Sequence, residues 1–202
     1  MLDPKLVPGP GLAVGFVLTL LVAVRDRASL DRRGLEFNIA GRVPGTIVGA
    51  MFIASIPKSA VTIVVGCAVL LAVVLNLARI ALRPTPRTLV VAGVVSGFAS
   101  TVSSVGGPPT AIVYANEPGP VARATLAFIF LIGSLMSLVA LAFVGKFGAE
   151  EMRLTALLLV PATIGFFLSK PIAAHVDKGT ARHAILVVAS LGALTALAKE
   201  LL

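Results

Sequence analysis

Between Gly93 and Thr110 the chain reads GVVSGFASTVSSVGGPPT, and its hydroxyls fall at helical spacing. Ser96, Ser100 and Ser103 or Ser104 share one face, with Gly93 and Gly97 on an adjacent strip. Gly106-Gly107-Pro108-Pro109 then interrupts the run, because proline withholds a donor and glycine relaxes the backbone. Pro108 and Pro109 suit the first turn of a new, short helix reaching about Ala115. The N–H groups of Thr110, Ala111 and Ile112 would then point back at the Gly106-Gly107 turn, and such a helix start is a ready anion site. Ser103, Ser104 and Thr110 would add hydroxyl donors. The plainer account of the break is a kinked helix filled by its neighbours, and that of Gly93 and Gly97 is close helix packing.

Arg42, at the start of an apolar run, supplies the charge that an anion site needs. The competing account has it snorkelling, since it follows Glu36 near the expected cytoplasmic end of its segment. The candidate substrate-binding set is Ser100, Ser103, Ser104, Gly106, Gly107, Pro108, Pro109, Thr110 and Arg42. Other polar residues have bland explanations. Lys58 and Lys170 each adjoin a proline and read as interfacial anchors, and Asn76 as a bridge between helices. His175, Asp177 and His183 read as a solvated loop, because no fourth donor stands near them to complete a metal site. Asp3 and Glu117 each precede a proline, where capping is plainer than proton sensing. With no Ser-His-Asp order, no paired intramembrane carboxylates and no HExxH, no catalytic residue, metal or cofactor is expected, and neither is an enzyme.

The elements that must position these residues follow from composition. Of 202 residues, 57% are apolar and 13% charged, and mean hydropathy is +1.03. Soluble domains carry about a quarter charged residues, so the chain reads as an all-α polytopic membrane protein, localised to the cell membrane. One Cys excludes a disulfide framework, a cysteine zinc site and an Fe–S cluster, and Cys67 reads as a small core residue. The net charge of +8 comes from Lys and Arg strung between apolar runs, with no basic stripe for nucleic acid. Arg25, Arg27, Arg32, Arg33, Arg79, Arg83 and Arg87 instead mark cytoplasmic loops. Met1 is followed by Asp3-Pro4, not by a signal peptide.

Uncharged stretches run over Leu6–Val24, Val43–Pro57, Ser59–Ala78, Thr88–Asn116, Ala124–Gly145, Leu154–Ser169 and Ala184–Ala198. They give about seven transmembrane elements, with 88–116 broken or re-entrant and the shortest runs borrowing flanks such as Ile39–Arg42. Internal similarity is visible as well. Asp3-Pro4, Val7, Leu12, Ala13 and Phe16 match Glu117-Pro118, Val121, Leu126, Ala127 and Phe130 at one constant offset. Pro44-Gly-Thr-Ile then matches Pro161-Ala-Thr-Ile at a slightly larger one. The chain therefore divides into a first repeat, 1–82, and a second, 83–202, within one membrane domain. Loop charges leave parallel and inverted repeats both open. Duplicated membrane folds with broken helices are the architecture of secondary transporters.

The run from Gly93 to Thr125, with its Ser-Gly-Phe, Gly-Gly-Pro-Pro and Arg123-Ala124, resembles the second-repeat signature of the TauE/SafE family of sulfite and organosulfonate exporters. Arg42 to Gly49 is similar to that family's Arg-x-Pro-Gly stretch, and the resemblance extends from Leu2 onward. It implies a multi-pass permease for small sulfur-containing anions or related organic acids, alternating access at the repeat interface. The family usually begins with a further membrane segment bearing its own glycine-rich motif, so the chain reads as short by one element at its N-terminus. The alternative is a non-transporting membrane subunit or truncated remnant that takes that element from a partner helix. Expected partners are a small anion and the lipid bilayer, with room for a homo-oligomer.

Overall fold

The computed structural model describes residues 8–77 and 81–173. Asp3, His175, Asp177, His183, the stretch Ala184–Ala198 and the side chains of Lys58, Asn76 and Lys170 lie outside the described residues. Within them are seven α-helices and no strand: α1 Gly9–Asp26, α2 Arg32–Ser55, α3 Lys58–Leu77, α4 Pro86–Ser103, α5 Gly107–Val113, α6 Gly119–Phe143 and α7 Ala149–Ala173. A 3₁₀ turn, Arg27–Ser29, joins α1 to α2.

Local chemistry sets the boundaries. Asp31 caps α2 by accepting from the Gly34 N–H at 2.9 Å, so the helix starts well before its apolar run and leaves Arg32, Arg33 and Glu36 exposed. It ends where Ile56 is extended, as a residue before proline must be. Thr85 and Thr88 form a reciprocal capping box at the start of α4, with Pro86 in the first turn. Ser104 ends α4 in the left-handed conformation, φ 62°, its N–H donating to Ser100 O at 2.8 Å and its hydroxyl to Pro8 O at 2.6 Å.

The tightest seam joins α2 to α4. A Cβ at Gly41 would overlap the carbonyl oxygen of Val90, one at Gly45 that of Val94, and one at Gly93 that of Asn38. A Cβ at Gly97 would stand 2.7 Å from Arg42 O and one at Gly49 would stand 3.1 Å from Phe98 O. The two backbones therefore touch along a stripe of interleaved glycines, the membrane form of close helix packing. Partner numbers rise together along the seam, so α2 and α4 run parallel. α6 runs the same way: the Asp31 N–H donates to Thr125 Oγ1 at 3.0 Å, and Leu141 shares a buried cluster with Ile53 and Leu12. α1 runs opposite to them, with Gly9 against Phe147 beyond the end of α6.

The broken element turns back instead of crossing. Ser96 Oγ donates to Gly106 O, the Leu82 N–H donates to Ile112 O at 3.1 Å, and Val113 and Tyr114 pack in a cluster with Leu89 and Ala92. α4 and α5 are thus a hairpin that enters and leaves at one end of the molecule. Exposed Arg27, Arg32, Arg33, Arg83, Arg87 and Arg123 all lie at that end. Among the described residues two helices, Arg32–Ser55 and Gly119–Phe143, are long and apolar enough to cross a membrane, with Gly9–Val24 and Ile63–Val74 as shorter apolar helices. Val48, Met51, Phe143, Leu157 and Val160 are exposed, a surface suited to lipid. Cys67 is exposed too, contrary to the core position expected of it, because α3 buries its Val61 side instead.

At the arginine-rich end Asp31 ties three elements together. Its Oδ1 caps α2, its N–H reaches α6, and its Oδ2 accepts from the buried Tyr114 hydroxyl at 3.1 Å just beyond α5. Tyr114→Phe should lower stability by about 1.5–3 kcal/mol, the worth of a hydrogen bond to a charged acceptor. Thermal unfolding in detergent measures this, and an unchanged midpoint would show the tie contributes nothing.

Candidate functional site

The site is built around Arg42, about 15 Å along α2 from its first residue. The side chain is 1% exposed, so it does not snorkel. Its Nη1 donates to Ser96 Oγ at 3.2 Å and its Nη2 to Ser100 Oγ at 2.9 Å, both on the buried face of α4. These serines are themselves oriented: Ser96 donates to Gly106 O, and Ser100 bonds Gly97 O at 3.1 Å and Ser137 Oγ at 3.3 Å. Thr101 adds a 2.8 Å bond to Ser137. Gly133 of α6 forms the floor, since a Cβ there would overlap Cζ, Nε and Nη2 of the guanidinium.

Among the described residues Arg42 bonds only neutral hydroxyls, and its buried Nε has no acceptor. No carboxylate pairs with it among the described residues. A charge at the centre of a membrane helix costs about 2.5–3.5 kcal/mol on insertion scales. Two hydrogen bonds to a charged group contribute about 1.5–3 kcal/mol each, enough to offset that cost. The arginine is thus held in place without its charge being neutralised. Beside it lies a cavity of about 180 Å³, bounded by Gly11, Leu12, Gly15 and Thr19 of α1, Arg42, Ser100 and Ser104, Gly106 and Gly107 at the hairpin turn, and Phe130 and Ser134 of α6. That is several times the space one water needs, room enough for a small anion.

The family model described as sulfite exporter TauE/SafE matches residues 1–196. The chain belongs to the TauE/SafE family. No curated protein and no solved structure matches it. Membership makes this TauE/SafE chain a membrane transporter in general terms and assigns it to a family of transporters, not enzymes.

Five of the nine residues singled out in the sequence, Arg42, Ser100, Ser104, Gly106 and Gly107, border the cavity. The other four do not. Ser103 donates back to Ala99 O at 2.8 Å, and Pro109 borders an apolar groove of about 380 Å³ between α4 and α5. Pro108 takes a first-turn position in α5 and is absent from the cavity wall. Thr110 is buried with its hydroxyl unpartnered, also off that wall. The expected anion-binding amides need correcting as well. α5 begins at Gly107, so Ala111 and Ile112 fall within its hydrogen-bonded ladder, and the two prolines of its first turn have no N–H to offer. Charge at this site comes from Arg42, not from the helix start.

Ser96, Ser134, Ser137 and Gly133 stand outside the sequence-derived set. Ser96 carried a signal, its helical spacing with Ser100. The α6 residues carried none beyond small side chains in an apolar helix.

Proposed function

We propose that this TauE/SafE protein is a secondary transporter of small anions such as sulfite, sulfonates or related organic acids. It alternates access around the cavity between α1, the α4–α5 hairpin and α6. The observation that carries this reading is Arg42, buried mid-helix against hydroxyls alone and bordering a cavity of small-anion size. An intramembrane cation that faces the protein interior is the usual mark of a substrate path.

Topology supports the same reading. α1 runs toward the arginine-rich end and α6 away from it, while α2 and α7 also run oppositely. These are the helices paired by the internal sequence matches, so 1–82 and 83–202 are best read as inverted copies that meet at the cavity. The arginine-rich end is the cytoplasmic one by the charge bias of membrane loops, in a multi-pass arrangement in the cytoplasmic membrane. The Asp31–Tyr114 tie lies at that end, between the cavity and the cytoplasm.

Purified protein in liposomes preloaded with the same anion, unlabelled, should take up radiolabelled sulfite or methanesulfonate well above protein-free vesicles. Uptake equal to that of protein-free vesicles for both anions would sink the proposal.

A further inference from the structure

We infer that the carrier works by exchange: an anion bound beside Arg42 is the counterion that lets the site reorient, so net one-way movement is slow and anion-for-anion exchange is fast. This rests on reading the cavity as the transport site.

Every element packed around the guanidinium contributes neutral groups. α4 presents Ser96 and Ser100, and α6 presents Gly133, with Ser137 behind Ser100. α2 places Asn38 and Thr46 one turn to either side of Arg42, both buried. No acidic side chain borders the cavity among the described residues. Alternating access requires a state in which the site is sealed from both aqueous phases. Without an anion, that state holds an unneutralised cation in a low-dielectric interior, where the penalty is largest. With a monoanion in the cavity the charges cancel, and the sealed state is reached more easily. The orphaned Nε and the hydroxyl-only partners mean that no internal substitute for that anion stands beside Arg42 among the described residues. A transporter able to return without cargo would be expected to carry a carboxylate able to pair with the arginine during the return.

The test uses the full chain in liposomes with radiolabelled methanesulfonate outside. Potassium is equal on both sides and valinomycin is present, so membrane potential limits neither case. One set of vesicles contains unlabelled methanesulfonate; the other contains polyglutamate, too large for the cavity. Initial uptake should be at least about tenfold faster into the methanesulfonate-loaded vesicles, the rate ratio that a modest difference in barrier produces. In Arg42→Gln that ratio should fall to about one on whatever flux remains. Equal rates into both sets with the native protein overturn the exchange mechanism while leaving the transporter reading intact. No uptake into either set overturns both.

Discussion

Arg42→Gln is expected to lower anion flux by about a hundredfold to a thousandfold while changing the heat stability of the folded protein little. The two halves of this expectation have one cause. In a site of intermediate dielectric, a unit charge pair about 4 Å apart contributes about 4 kcal/mol, nearly three powers of ten in binding. Removing the positive partner removes that attraction. Glutamine also relieves the interior of a charge that no acidic residue balances among the described residues. The charge-assisted bonds given up and the burial cost relieved are of similar size, so the net change in stability is small. An arginine that merely held α2 to α4 would behave the other way, with stability falling and flux falling only as folded protein was lost. Initial uptake rates normalised to reconstituted protein, set beside a melting curve in detergent, separate the two. Flux within threefold of native would remove Arg42 from the site. Arg42→Lys should fall between, because an ammonium keeps the charge but cannot span Ser96 and Ser100 as the guanidinium fork does.

How far this site could be read from the sequence depends on the distance over which each signal acts. The hairpin was legible because proline and glycine act locally: the expected short helix to about Ala115 is α5, Gly107–Val113. The hydroxyl face of α4 was legible for the same reason, since helical periodicity puts Ser96 and Ser100 together without reference to any neighbour. Arg42 was recognisable as a charge beside an apolar run, but whether it snorkels or turns inward depends on α4 and α6, which follow much later in the chain. Gly133 shows that limit most clearly. Its role is to lack a side chain where the guanidinium lies, and nothing in the local pattern of α6 announces this. The free amides expected at α5 fail on helix counting: even a helix opening at Pro108 encloses Ala111 and Ile112 in its ladder, and the observed start at Gly107 encloses the Thr110 N–H as well. The spacing Gly41, Gly45, Gly49 was in the sequence throughout, but Arg42 and Pro44 between them draw attention to charge and kinking instead of to the surface the glycines form.

That glycine surface carries the largest expected effect on folding. Gly45→Leu should leave little folded protein, because its Cβ alone would overlap the Val94 carbonyl oxygen, and a backbone atom cannot swing aside as a side-chain tip can. Overpacking a fitted interior costs about 1–3 kcal/mol or more, and here relief requires separating α2 from α4 along their whole seam. A graded alanine series makes the argument quantitative. At Gly165 a Cβ would meet nothing within 4 Å, so Gly165→Ala should be neutral or stabilising by up to about 1 kcal/mol through helix propensity. At Gly49 the nearest atoms, Phe98 O and Thr101 Cβ, stand at 3.1 Å, so alanine there requires a shift of only a few tenths of an ångström and should cost an intermediate amount. Gly45→Ala should cost most of the three, and melting midpoints in detergent should rank in that order. If Gly45→Ala melts with Gly165→Ala, the two backbones are not in contact. The same seam holds Arg42 against Ser96 and Ser100, whose bonds of 3.2 and 2.9 Å would not survive helix separation of about an ångström. Gly45→Ala protein that survives purification should therefore also lose anion flux per folded molecule, although residue 45 does not border the cavity. Native flux in such a variant would mean that the arginine finds its place independently of the α2–α4 seam.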